Sequence, residues 1–336
     1  MTVLLVTLLF LSTGVLSALF CGLYLHIAHR RKILDSPNER SSHAVPTPHG
    51  GGVPLLLAFY AGLLLAAALG APWSSGLMLI ALVSVLLMAL GVVDDLRGLA
   101  VRTRMAAYGI LCLASALLLL ADTALPQTPG PAGLLLVCAI AFALLWFLNL
   151  YNFMDGIDGI AGLQAVLALA AASLLLLLSG GDETIALFCL LLAAAHTGFL
   201  VFNWPPARLF MGDAGSVPTG FLLAGLALVT ALADQLSVYC WLILMACFIA
   251  DASCTLLWRI LTGQPFTEAH RLHAYQRLAR RWQSHRAVDL LLLCIFLFWL
   301  LPLSVAAAVW PQIALILVIV TYLPLLFGMA KIAALK

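Results

Sequence analysis

Apolar runs of about 18 residues or more recur along the whole chain, and each is long enough to cross a bilayer as a helix. Nothing else in the sequence restricts the fold as strongly. Inside hydrocarbon every backbone N–H and C=O must be satisfied internally, so a chain built from such runs folds as a bundle of helices. The 336 residues are 64% hydrophobic and only 9% charged, which excludes an ordinary soluble domain. At the usual length of roughly 20 residues the runs give about eleven spans. They fall near 3–27, 53–71, 76–93, 105–121, 131–150, 160–179, 185–201, 217–233, 237–257, 288–309 and 312–330. Short breaks such as Ala71-Pro72-Trp73 and Gly180-Gly181-Asp182-Glu183 separate them. The expected fold class is therefore all-α, a polytopic integral membrane protein with a single domain over 1–336.

Charge gives this bundle a direction. The first run has no basic residue ahead of it, and Arg30, Arg31 and Lys32 follow it. That order favours an uncleaved anchor with the N-terminus outside. Alternating the loops from there puts 28–52, 94–104, 151–159, 202–216, 258–287 and the C-terminus on one side, with all 16 Lys and Arg. The opposite loops carry only Asp122, Asp182, Glu183 and Asp234. The basic face, including the C-terminus, is thus expected to be cytoplasmic. The Cys residues lie in apolar runs with no CxxC pair, so they read as packing rather than disulfides or zinc ligands.

The polar residues concentrate on the same face. The first loop runs Ser41-Ser42-His43-Ala44-Val45-Pro46-Thr47-Pro48-His49-Gly50-Gly51-Gly52. Its hydroxyls, imidazoles and glycines suit a phosphate-bearing ligand approached by backbone N–H groups. Asp94 and Asp95 end the third span; adjacent carboxylates at a membrane boundary want a nearby cation, and Arg97 is the one close in sequence. Asn149, Asn152, Asp155 and Asp158 recur every three positions, so neighbours can share a helix face, and Gly156 and Gly159 can admit a ligand. Asp213 stands between glycines before the eighth span. The longest loop carries His270, Arg271 and His273, with five Arg residues from Arg271 to Arg286 that attract diphosphates and anionic headgroups. The two histidines share a face if that segment is helical. Asp251, inside the ninth span, reads either as a structural support or as a residue that backs a group of the site from behind, and His196 as a packing histidine.

Carboxylates and carboxamides are hard oxygen donors, which select Mg²⁺, with Mn²⁺ as the alternative, over zinc or copper. Such a cluster beside basic, donor-rich loops is suited to phosphoryl transfer. One substrate should be a cytosolic anion and the other a lipid with its head at that face. No nucleic-acid partner is expected.

The set SSHAVPTPHGGG (41–52), DD (94–95), NLYNFMDGIDG (149–159), FMGDAGS (210–216) and HRLHAYQ (270–276) resembles the polyprenyl-phosphate N-acetylhexosamine-1-phosphate transferase family, over about residues 30–280. The ending looks more like the branch that initiates O-antigen than the peptidoglycan branch. The resemblance implies that undecaprenyl phosphate attacks a UDP-N-acetylhexosamine, releasing UMP and leaving undecaprenyl-diphospho-sugar for lipopolysaccharide or a related envelope glycan. It implies Asp213 and Asn152 as ligands of Mg²⁺. Asp94 and Asp95 would bind metal or act on the lipid phosphate, while Asp155 and Asp158 would hold nucleotide or metal. His43, Asn149, His270, Arg271 and His273 would contact substrate. His49 departs from the Arg that many relatives carry after PTP. The implied setting is the inner membrane of a bacterium, with membrane lipids around the protein; the sequence leaves the oligomeric state open, a homodimer among the alternatives. The rival reading is a secondary transporter of a phosphorylated or anionic solute, which should place charges near the midplane and show inverted repeats.

Overall fold

The computed structural model describes residues 1–35, 45–121, 131–265 and 270–334. Among them the chain is almost wholly helical. The helices are α1 (Val3–Arg31), α2 (Gly52–Ala68), α3 (Ser75–Arg97), α4 (Val101–Ala121), α5 (Pro131–Met154), α6 (Ile160–Leu178) and α7 (Glu183–Asn203). There follow α8 (Asp213–Leu232), α9 (Val238–Leu244), α10 (Ala246–Leu261), α11 (Ala274–Trp282), α12 (His285–Ile295), α13 (Leu301–Val309) and α14 (Ala314–Ala334). Leu34–Asp35 pairs antiparallel with Thr47–Pro48 beside the first loop.

Each expected span has its counterpart, with two differences of shape. Nine helical stretches among the described residues are long and apolar enough to cross a membrane. The second span, α2, has only 17 residues. The ninth is broken at Met245, where α9 and α10 meet at 76°. No proline causes the break. The buried Gln164 of α6 donates to Leu244 O at 2.9 Å, satisfying a carbonyl that the bend takes out of the helical ladder. A run of apolar residues carries no sign of a partner supplied by another helix, so the sequence reads this span as straight.

α6, α7 and α8 form the centre of the bundle. Each has 72% of its spanning window buried, against 17% for α1 and 11% for α14 at the rim. His196 of α7 is buried there and satisfied, with Nδ1 on Leu192 O at 2.9 Å and Nε2 on Thr219 Oγ1 at 3.2 Å. The turn that precedes α6 and the start of α8 therefore open from the innermost helices; the turn holds Asp155 and Asp158, and Asp213 is the first residue of α8.

The glycines of the first loop have a packing role. The Gly51 and Gly52 N–H groups donate to Phe210 O and Met211 O at 2.8 and 2.9 Å, clasping this loop to the one before α8. A Cβ on Gly52 would lie 2.1 Å from Gly215 Cα. The expectation that both glycines present N–H groups to a ligand is corrected: these donors already have partners in the chain.

Candidate active site

α3, α5 and α7 finish at one end of the bundle, where α4, α6 and α8 begin, so distant segments meet there. Asp94 and Asp95 lie in the last turn of α3. Gly98, at φ 64°, turns the chain out of that helix, a conformation glycine adopts without strain. Asp94 Oδ1 accepts the Leu99 N–H at 2.7 Å. α4 starts at once and folds Arg104 back over the end of α3. One guanidinium nitrogen, Arg104 Nη1, donates to Asp94 Oδ2 and, at 3.0 Å, to Asp213 Oδ2.

Asp213 opens α8. Its second oxygen accepts Asn152 Nδ2 at 2.9 Å, and the same nitrogen reaches Ser216 Oγ at 2.8 Å. Asp95 Oδ2 rests 3.5 Å from the Ala214 N–H, and His49 lies within Coulombic reach of its carboxylate. α3, α4, α5 and α8 thus contribute to one polar centre. Arg104 is the residue that sequence reasoning missed; the sequence offers a bound cation or, for a merely solvated pair, Arg97 as the counter-charge. The available signal was the brevity of the turn: Gly98, Leu99 and Ala100 alone separate α3 from α4, which forces the first turn of α4 onto the acids.

Asp155 and Asp158 sit in the turn between α5 and α6. Asp158 Oδ2 accepts the Ala207 N–H at 3.0 Å and lies 3.3 Å from His285 Nδ1, so it ties this turn to α12 and to the loop before α8. Burial foremost, then the neighbouring Asp213 and Asp158 carboxylates, push the Asp155 pKa up to about 7. Burial and neighbouring like charges thus both favour the protonated form of Asp155.

The last loop closes the centre from the side. Tyr275 Oη donates to Phe153 O at 2.9 Å and sits against Gly156, where a Cβ would come within 2.1 Å of the hydroxyl. Gly156 thus admits a side chain of this chain rather than a ligand. We expect Gly156→Ala to lower the melting temperature in detergent, reflecting overpacking of about 1–3 kcal/mol. Adding Tyr275→Phe, which removes the clashing hydroxyl, should recover part of the loss; no recovery would separate the glycine from the tyrosine.

His270 and His273 have ring centroids 4.9 Å apart. The segment 270–273 is not helical, so the rings meet through the irregular path before α11 and not by a shared helix face. Beside them a cavity of about 560 Å³ is lined by Asp158, Arg271, Gln276, Arg280, His285 and Arg286, among others. Its volume suits a nucleotide-sized ligand. Burial, with Arg271 and Arg277 nearby, lowers the Arg280 pKa, which marks positive charge held at close quarters. Asn149 donates to Leu145 O at 2.7 Å on its own helix, and no hydrogen bond joins it to the acids. His43 lies outside the described residues.

The donor set can be weighed against a divalent ion. Asp94, Asp95 and Asp213 offer carboxylate oxygens, and Asn152 uses its N–H on Asp213 and Ser216, leaving Oδ1 as a donor. Among the described residues no three acid, imidazole or thiol groups stand in ligating geometry around one point. Arg104 holds Asp94 and Asp213 together in that place. The donors are nevertheless all hard oxygens, and acids outnumber the guanidinium they share, so the chemistry of the set fits Mg²⁺.

The family model described as glycosyl transferase family 4 matches residues 77–231. The chain is 30% identical to a decaprenyl-phosphate N-acetylglucosaminephosphotransferase of Mycolicibacterium smegmatis, over 76% of this chain and 71% of the relative. It is 26% identical to a probable undecaprenyl-phosphate N-acetylglucosaminyl 1-phosphate transferase of Bacillus subtilis, over 89% and 85% of the two chains. A phospho-N-acetylmuramoyl-pentapeptide-transferase of Geobacillus sp. is 31% identical, over 68% of this chain and 75% of the relative.

Proposed function

The chain belongs to glycosyl transferase family 4, and from that premise we propose that it transfers an N-acetylhexosamine-1-phosphate from a UDP-sugar to undecaprenyl phosphate. A lipid-phosphate oxygen forms a bond to the β-phosphorus of the donor. The bond from that phosphorus to the bridging oxygen breaks, and UMP leaves with the oxygen and its electron pair. The product is undecaprenyl-diphospho-sugar, which starts an O-antigen or related envelope glycan.

The observation that carries this reading is the convergence of Asp94, Asp213 and Asn152 on shared partners, beside a basic cavity at the same end of the bundle. Two anions must meet for the reaction to occur, so their repulsion is a main part of the barrier. Arg104, Arg271, Arg280 and Arg286 place positive charge where those anions collect. Asp213 and Asn152 would hold Mg²⁺, with Asp94 and Asp95 alongside; the ion would neutralise phosphate charge and stabilise the leaving UMP. The lipid phosphate is already largely ionised near neutrality, its second pKa being about 6. Asp94 and Asp95 therefore act by charge and position rather than as a base. Asp155 and Asp158 border the nucleotide, and His270, Arg271 and His273 meet the diphosphate. With all Lys and Arg on this face, the site opens to the cytoplasm, within the inner membrane.

Purified protein given undecaprenyl phosphate and a panel of UDP-N-acetylhexosamines should release UMP with at least one of them. EDTA should stop the release, and added Mg²⁺ should restore it. Rates unchanged by EDTA would remove the metal, and silence with every donor would return the transporter reading.

A further inference from the structure

We propose that Asp251, a carboxylate inside the broken ninth span, is a positioning residue for the donor diphosphate and acts through His273. The idea rests on the proposed transferase reading, in which His273 meets that diphosphate.

Asp251 is 3% exposed and lies on α10, just past the bend at Met245. A carboxylate at such a depth costs a few kcal/mol unless its charge is fully used. Here it is. Oδ1 accepts from His273 Nδ1 at 3.2 Å, from the Ala274 N–H at 2.9 Å and from Thr255 Oγ1 at 3.1 Å, while Oδ2 accepts the Tyr275 N–H at 3.0 Å. One side chain thus caps α11 and holds the histidine that precedes it.

Two consequences follow. First, the Ala274 and Tyr275 N–H groups at the start of α11 are already engaged, so these two donors are not free for phosphate. Second, a carboxylate on Nδ1 requires that nitrogen to carry the proton, which leaves Nε2 as the ring atom for a phosphate oxygen. The ring has little freedom to turn. His273 is 4% exposed, stacks on Tyr275 at 5.7 Å and packs on His270 at 4.9 Å. The 76° break matters for the same reason, because it sets the direction of the helix that carries Asp251.

The test uses Asp251→Asn, which keeps size and shape, alongside His273→Ala and the double variant of the full-length protein. Inorganic pyrophosphate binding is measured by calorimetry, and KM is measured separately for the UDP-sugar and for the lipid. Loss of an outer partner that orients a metal-bound histidine typically costs about 10–100-fold, and an oriented phosphate contact is taken on the same scale. We expect Asp251→Asn to weaken pyrophosphate binding and raise the donor KM by about tenfold or more, with the lipid KM unchanged. In the His273→Ala background the same change should have no further effect. Wild-type pyrophosphate affinity in Asp251→Asn, additive losses in the double variant, or a lowered melting temperature alone would each overturn the proposal. So would a wild-type protein that does not bind pyrophosphate. Pyrophosphate binding that depends on Asp251, without UMP release from any donor, would uphold the positioning role and sink the transferase reading instead.

Discussion

Replacing Asp213 with Asn is expected to lower turnover by about 10²–10³-fold while the protein still inserts and folds, since a group placed to stabilise a transition state is commonly worth this much. Asp213 is the point where the site's partners meet. One oxygen takes Arg104 Nη1 at 3.0 Å and the other takes Asn152 Nδ2 at 2.9 Å. A carboxamide has the same shape, but one of its two ends is an NH₂ group. Whichever way it turns, that NH₂ faces another N–H donor, and the charge needed to hold a divalent ion is gone. The fold should survive because Asp213 is a first-turn residue of α8, where its interaction with the helix dipole is worth only about 0.3–1 kcal/mol. UMP release and a melting curve in detergent check both halves. Turnover within threefold of wild type would remove Asp213 from the chemistry.

Arg104→Met should produce the second large loss. The Asp94 side chain is 7% exposed, and Arg104 and Asp213 are each 28% exposed. Removing the cation strands one buried carboxylate and one half-buried one. The stability cost should be about 1–3 kcal/mol, less than for a fully buried pair because solvent reaches two of the three groups. Turnover should fall about 10²-fold, as it does when a charge-stabilising group is removed. The Mg²⁺ concentration giving half-maximal rate should fall as well, because the remaining acids lose their internal competitor. Arg104→Lys should stay within about tenfold of wild type. A single nitrogen bridges the two acids, so the forked geometry of Arg is not required there. A half-saturating Mg²⁺ concentration that rises in Arg104→Met would show that the guanidinium assists the ion instead of competing with it.

Much of the polar centre was legible in the sequence alone. Asp94, Asp95, Asn152, Asp155, Asp158 and Asp213 stand out because each is polar where hydrocarbon surrounds it, and a polar residue kept at that cost marks function. Arg104 was not legible as part of the centre. It is one of 16 basic residues on that face, and membrane topology alone accounts for basic residues there. The roles of the glycines were misread for a related reason. A missing side chain signals close approach without saying of what. At Gly52 the neighbour is Gly215, and at Gly156 it is Tyr275. His270 and His273 were correctly expected as neighbours, but by a helical spacing that this segment does not have. Asp251 reads in the sequence as a support, structural or behind the site, while its partners His273, Ala274 and Tyr275, more than twenty residues ahead in the chain, are invisible there.

The sequence by itself determined that this chain is a helical membrane protein and where its spans lie, and it gathered the motif acids and the Lys and Arg into one alternating set of loops. The bilayer enforces those outcomes locally: each segment must be apolar, long enough and internally hydrogen-bonded, whatever its neighbours do. Only the tertiary structure decided which groups pair. Arg104 bridges Asp94 to Asp213, Asp251 holds His273, and Gln164 satisfies the bend at Met245. Each partner comes from another helix, and its distance depends on how the whole bundle packs, which no single segment encodes.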